Sequence, residues 1–186
     1  LALLCLTLLC HPAVATADGH LWRAVGVRDG LLSHTVHALW PTASGGLLVG
    51  TSGGLNQWDG DRWRQYSAGN GLAEGYVTAV AELGGAVWAG SWGGGLSVLR
   101  DGDWRTYRAA DSLLPCDWIA DLAVSGRTLW VATYGGGLAT LTGEAWAVYR
   151  RADGGLPSDW LTCVLPDGEG GAWVGSESAG LAHLRP

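Results

Sequence analysis

The sequence predicts an all-β protein, specifically a β-propeller built from four-stranded antiparallel blades. Three observations carry that expectation. Four separate sequence anchors recur with one period of 41–43 residues. Glycine supplies 31 of the 186 residues, with no three-residue period of the collagen kind. No stretch holds a 3.6-residue apolar period long enough for a helix.

The anchors define four units. Val36-His37-Ala38-Leu39 recurs at Val77–Val80, Ile119–Leu122 and Leu161–Val164. Leu48-Val49-Gly50-Thr51 recurs at Trp88–Ser91, Trp130–Thr133 and Trp173–Ser176. Gly53-Gly54-Leu55 returns at Gly94–Leu96 and Gly136–Leu138, and as Ala179-Gly180-Leu181. Trp63-Arg64-Gln65-Tyr66 returns at Trp104–Tyr107 and Trp146–Tyr149, and Trp22–Val25 resembles it. Each unit therefore reads as four short strands, a to d, rich in valine, leucine and aromatic residues and bounded by glycine turns. Asp59-Gly60 and Asp101-Gly102 separate strands c and d, where a tight hairpin needs positive φ. A unit of this length with four antiparallel strands is a propeller blade. The glycine of the b strand is expected to let neighbouring sheets approach closely.

The units run 26–66, 67–107, 108–149 and 150–186, with strand 20–25 expected to complete the last of them. Pairing of Trp22–Val25 with the strand ending near Leu184 would close a four-bladed ring and remove exposed edges. The same repeat also fits a fragment of a larger propeller, and the absent start of the reading frame favours the fragment.

Residues 1–17 read as a secretory leader with its beginning missing. Leu1–Cys10 is uncharged and too short to span a bilayer. His11-Pro12 ends the run, and Ala13-Val14-Ala15-Thr16-Ala17 offers two small-residue cleavage sites ahead of Asp18. The mature chain, 18–186, is expected to be exported, periplasmic or extracellular, and without a membrane span. It keeps Cys116 and Cys163. Their repeat positions are offset by about 16 Å at ~3.3 Å per residue, too far for a disulfide, so two small buried thiols are expected.

Composition excludes several functions. All 11 basic residues are arginine, so no lysine-dependent chemistry is available. A net charge of −6 argues against nucleic-acid binding. His34 and His37 fall on opposite faces of a regular strand, so no metal or other cofactor is expected.

Leu156-Pro157-Ser158-Asp159-Trp160-Leu161-Thr162, followed by Asp167-Gly168 and Ala172-Trp173-Val174-Gly175, resembles the two-component regulator propeller repeat. Asp101-Gly102-Asp103-Trp104-Arg105-Thr106-Tyr107 resembles it too, and the resemblance extends over 20–185. It implies an exported sensor propeller of the kind that precedes a membrane helix and a histidine kinase, with glycans among the ligands sensed. No kinase motif lies within the 186 residues.

Strand direction places the d-to-a and b-to-c connections on one face, near the channel. Thr35, Tyr76, Trp118 and Trp160 open the a strands there. Ser52, Trp92, Tyr134 and Glu177 occupy the b–c turns. Asp117 and Asp159 precede two of the tryptophans. Aromatic faces beside carboxylates suit a glycan or another small amphipathic ligand. The candidate binding residues are therefore Tyr76, Trp92, Asp117, Trp118, Tyr134, Asp159, Trp160 and Glu177. The alternative is that the rings are repeat consensus packing against the next blade. A non-catalytic sensor is the expected function. A carbohydrate-active enzyme using Asp117, Asp159 and Glu177 as acid and base, or a secreted protein-binding scaffold, are the alternatives.

Overall fold

A computed structural model describes Val14–Ala15 and residues 21–185. It is all-β apart from two single-turn 3-10 segments, Val27–Asp29 and Arg151–Asp153. Two short strands, β1 (Val14–Ala15) and β2 (Leu21–Trp22), precede four sheets. The first blade holds β3 (Val36–Pro41), β4 (Leu47–Thr51), β5 (Gly54–Trp58) and β6 (Trp63–Tyr66). The second holds β7 (Val77–Leu83), β8 (Ala86–Ser91), β9 (Gly95–Arg100) and β10 (Asp103–Tyr107). The third holds β11 (Ile119–Ser125), β12 (Thr128–Thr133), β13 (Gly137–Thr142) and β14 (Ala145–Tyr149). The fourth has β15 (Leu161–Pro166), β16 (Ala172–Ser176) and β17 (Leu181–Leu184). Every neighbouring pair in these sheets is antiparallel and follows chain order.

The turns follow the sequence signals. Asp101 (φ 53°) and Gly102 (φ 94°) both take positive φ in the β9–β10 hairpin, where Arg100 pairs with Asp103. A β-bulge sits at the same place in all four blades, at His37, Thr78, Ala120 and Thr162. The extra residue re-aims the chain, so Val77 and Val80, three apart, both join the core between the first and second blades.

The core lies between blades rather than within one. Leu48 and Leu55 pack with Leu72, Val77 and Val80. Trp88 and Leu96 pack with Leu114, Ile119 and Leu122. Trp130 and Leu138 pack with Leu156, Leu161 and Val164. The b-strand glycine has the expected role: a Cβ on Gly90 would stand 2.4 Å from Ile119 Cγ2 of the next blade. Polar contacts cross the same joints. The Thr78 hydroxyl donates to the Ile119 carbonyl at 2.6 Å, and the Val164 amide donates to Asp121 Oδ2 at 2.9 Å. Burial at that joint pushes the Asp121 carboxyl above its ordinary pKa.

Two expectations require correction. Leu21–Trp22 ladders with Val14–Ala15, not with β17, and among the described residues the fourth blade has three strands. Closure by that strand needs the first and last blades to meet. Blade contacts instead run β3 and β4 to β7, β7 and β8 to β11, and β11 and β12 to β15. The thiols are free, but neither is buried as expected: Cys116 is half-buried and Cys163 exposed, and among the described residues no further sheet covers that flank of the fourth blade. The expected leader, 1–17, lies outside the described residues apart from Val14–Ala15. No helix among the described residues is long and apolar enough to cross a membrane.

Candidate functional site

The mouth is built by repeating loops. In three of the d–a connections a turn side chain closes the loop: Asp29 Oδ2 accepts the Gly26 amide, Asn70 Oδ1 the Ser67 amide, and Asp111 Oδ1 the Arg108 amide. A leucine just beyond the turn is buried in every unit, at Leu31, Leu72, Leu114 and Leu156. This leucine pins the loop to the core, and the expectation from sequence had not singled it out.

The next residues join one blade to its neighbour. The Asp117 carbonyl accepts the amides of Gly93 (3.1 Å) and Gly95 (2.9 Å) from the preceding blade. Asp159 is held identically by Gly135 and Gly137, both at 3.0 Å. Within a blade, the Trp92 amide donates to the Tyr76 carbonyl and that of Tyr134 to the Trp118 carbonyl. Trp92 also bridges to Trp118, and Tyr134 to Trp160, across the blade boundaries. Gly137 takes φ 85°, and a Cβ there would lie 2.3 Å from the Tyr149 carbonyl oxygen. A glycine is therefore required for the clasp.

This lattice brings four rings together. Trp92 lies 5.1 Å from Trp118 and 5.2 Å from Tyr134, centroid to centroid. Trp118 and Tyr134 are nearly parallel, 8° apart at 6.5 Å. Tyr134 meets Trp160 edge-on at 4.8 Å. The three tryptophans are 39–48% exposed. The Tyr134 phenol is held above its usual pKa, first by its hydrogen bond to Glu177. Tyr76 is exposed but stands outside this cluster; its ring pairs with His37 at 4.6 Å, and His37 Nε2 lies 2.8 Å from the Ser52 hydroxyl. His37 was considered only as a metal ligand in the sequence. Its bulged position beside the b–c turn was the available signal.

Asp117 and Asp159 have a structural contact. Asp117 Oδ1 accepts the Ala109 amide and Asp159 Oδ1 the Arg151 amide, both at 2.7 Å. Each thereby orders the loop leading to its tryptophan. Among the described residues, no group of three or more histidine, cysteine or acidic side chains is placed to hold a metal. A cleft of about 630 Å³ lies away from the rings, on the first blade, lined in part by Val25, Leu47, Trp58 and Trp63.

No family model matches the chain, and no curated protein matches it. Solved structures do. The extracellular domain described for a hybrid two-component system of B. thetaiotaomicron superimposes with a TM-score of 0.78 at 20% identity over 87% of this chain. A second such domain from B. thetaiotaomicron gives 0.67 at 20% identity over 82%. The blade architecture is theirs. The chain spans only 25% and 20% of the length of those two domains. The virginiamycin B lyase of Staphylococcus aureus shares the fold as well, with a TM-score of 0.64 at 13% identity, over 93% of this chain and 62% of the lyase. The fold thus occurs in both extracellular domains of two-component systems and an enzyme.

Proposed function

We propose that this chain is an exported, non-catalytic sensor propeller that takes a glycan or similar small ligand on the ring cluster of its mouth. One observation carries the reading: Trp92, Trp118, Tyr134 and Trp160 form a continuous, partly exposed aromatic surface across three blades. Large apolar rings left in water at the end of a rigid sheet suit stacking on the C–H face of a sugar. Glu177, whose carboxylate raises the Tyr134 pKa, supplies an acceptor at the edge of the cluster. Asp117 and Asp159 position the tryptophans through the loops they tie down. The likeness to extracellular domains of two-component systems supports both export and sensing.

Binding to a glycan array, read beside thermal melts, tests the proposal. Trp118→Ala and Trp160→Ala should each lower affinity by about 1–3 kcal/mol, by analogy with base–aromatic stacking, while melting stays close to wild type. Stability losses in these variants as large as for a fully buried tryptophan would make the rings packing residues and end the proposal. A second reading is a carbohydrate-active enzyme; the lyase neighbour shows that the fold also carries an enzyme, and Glu177 at the edge of the rings is the carboxylate such a reading would use. Turnover of an array-positive glycan would replace the sensor reading with that one.

A further inference from the structure

Ring meets ring at each joint of the mouth, but the joint between the first and second blades is built differently. At the two later joints the ring of a b–c turn packs on the ring that opens the next a strand: Trp92 on Trp118 at 5.1 Å, and Tyr134 on Trp160 at 4.8 Å. At the first joint the turn residue is Ser52, which has no ring. The partner of Tyr76 there is His37, its imidazole 4.6 Å from the phenol ring and tilted by 31°. His37 occupies the bulge of β3, where Thr78, Ala120 and Thr162 stand in the other blades. The bulge turns its ring toward the second blade. Its Nε2 lies 2.8 Å from the Ser52 hydroxyl. Among the described residues that is the one hydrogen bond either side chain makes. An imidazole has two ring nitrogens, and a hydroxyl donates once and accepts twice. The pair therefore keeps both donor and acceptor capacity to spare, beside a Tyr76 ring that is 42% exposed.

We propose that Tyr76, His37 and Ser52 form a second sugar subsite, so that the mouth takes an oligosaccharide rather than a single sugar. This rests on the glycan reading of the ring cluster given above. The exposed Tyr76 face stacks on one sugar ring, and the imidazole and hydroxyl at its edge exchange hydrogen bonds with that sugar's hydroxyls. A sugar hydroxyl both donates and accepts, as this pair does, so a neutral sugar is matched without a charge. The subsite is distinct from the cluster. The Trp92 amide donates to the Tyr76 carbonyl at 3.0 Å, which places the two surfaces side by side in one blade. The Tyr76 ring, however, pairs with His37 and, among the described residues, with no ring of the cluster. One sugar cannot rest on both surfaces; linked units can. The two surfaces also differ in what they select. A site that hydrogen-bonds a hydroxyl rejects an analogue lacking it far more strongly than an apolar surface does. The cluster supplies stacking area, and the His37 end decides which glycan is read.

Titration calorimetry on the full chain tests this, with cello-, xylo-, manno- and galacto-oligosaccharides of two to six units as probes. In the wild type, affinity within a bound series is expected to rise with length. His37→Ala and Ser52→Ala should each weaken the longest probe about fivefold, the scale of one lost hydrogen bond, and leave the disaccharide of that series unchanged. Tyr76→Ala should show the same dependence on length, whereas Trp118→Ala should weaken every length. Ser52→Ala removes only a hydroxyl, so it carries the test should His37→Ala fail to fold. A merely structural role for these residues would shift all lengths alike. That result, or wild-type affinity that is flat with length, would overturn the second subsite and leave the ring cluster as a glycan site. Absence of binding to every series would end the glycan reading itself, and this subsite with it.

Discussion

Trp130 and Trp118 belong to the same blade and have opposite surroundings, and substitution should separate them. Trp130 is 4% exposed within the joint between the third and fourth blades. Trp130→Ala should cost about 3–5 kcal/mol through the cavity it leaves. The buried Trp130 Nε1 has no hydrogen-bond partner. Trp130→Phe should therefore recover most of the loss, since no hydrogen bond goes with the indole. Chemical denaturation of both variants checks this, and equal losses would show that the indole N–H makes a bond. Gly90 gives a second contrast at this scale. With Ile119 Cγ2 2.4 Å from where a Cβ would be, Gly90→Ala should destabilise by about 1–3 kcal/mol through overpacking. The equivalent residue in the third blade is already alanine, Ala132, fully buried. Ala132→Gly should therefore be the milder change in the same denaturation series.

Among the elements, the fourth blade shows the clearest electrostatic tie. Asp167 Oδ1 accepts the amides of Glu169 (2.8 Å) and Gly171 (2.9 Å), closing the turn from β15 to β16. Its Oδ2 lies 2.8 Å from His183 Nε2 on β17, and the His183 ring stacks on Trp173 at 4.0 Å. The bond to His183, followed by those amides, holds the Asp167 pKa below its ordinary 3.8. A depressed carboxylate pKa stabilises the fold above the unfolded value, and that contribution disappears as pH falls through the folded value. The wild-type melting temperature should thus drop below about pH 4 more steeply than that of Asp167→Asn. Parallel curves would show that the tie contributes nothing. The elements also show what the sequence could display. Strands b, c and d were legible because their tryptophan, glycine-glycine-leucine and tryptophan-x-x-tyrosine patterns repeat with period-2 alternation and glycine turns. The a strands obscured their inward face, because the bulge at Thr78 sets Val77 and Val80 on one side despite their odd spacing. The ring cluster was legible as positions, but its mutual contacts were not, since they depend on Gly93 and Gly95 clasping the Asp117 carbonyl of another blade. Trp22–Val25 misled because its residue pattern matches a d strand, while pairing depends on which strand lies within reach.

At the scale of the whole molecule, the main contacts of each described blade are with its neighbours in the chain. Stability in such an array is approximately a sum of unit terms and nearest-neighbour terms. The second and third blades each have two covered faces, and the first and fourth have one. Among the described blades, opening should therefore begin at the first and fourth and move inward. Native-state hydrogen exchange should read this as a gradient: amides of β8 and β12 slowest, those of β17 fastest among the sheet amides. Uniform protection along the chain would show one all-or-none unit instead. The clasp at Asp117 and Asp159 then acquires a kinetic meaning. Each bound carbonyl spans a blade boundary at the mouth, so any molecule resting across Trp92, Trp118 and Trp160 bears on three consecutive units. Its occupancy would slow exchange in strands it never touches, making the interior amides a reporter of events at the surface.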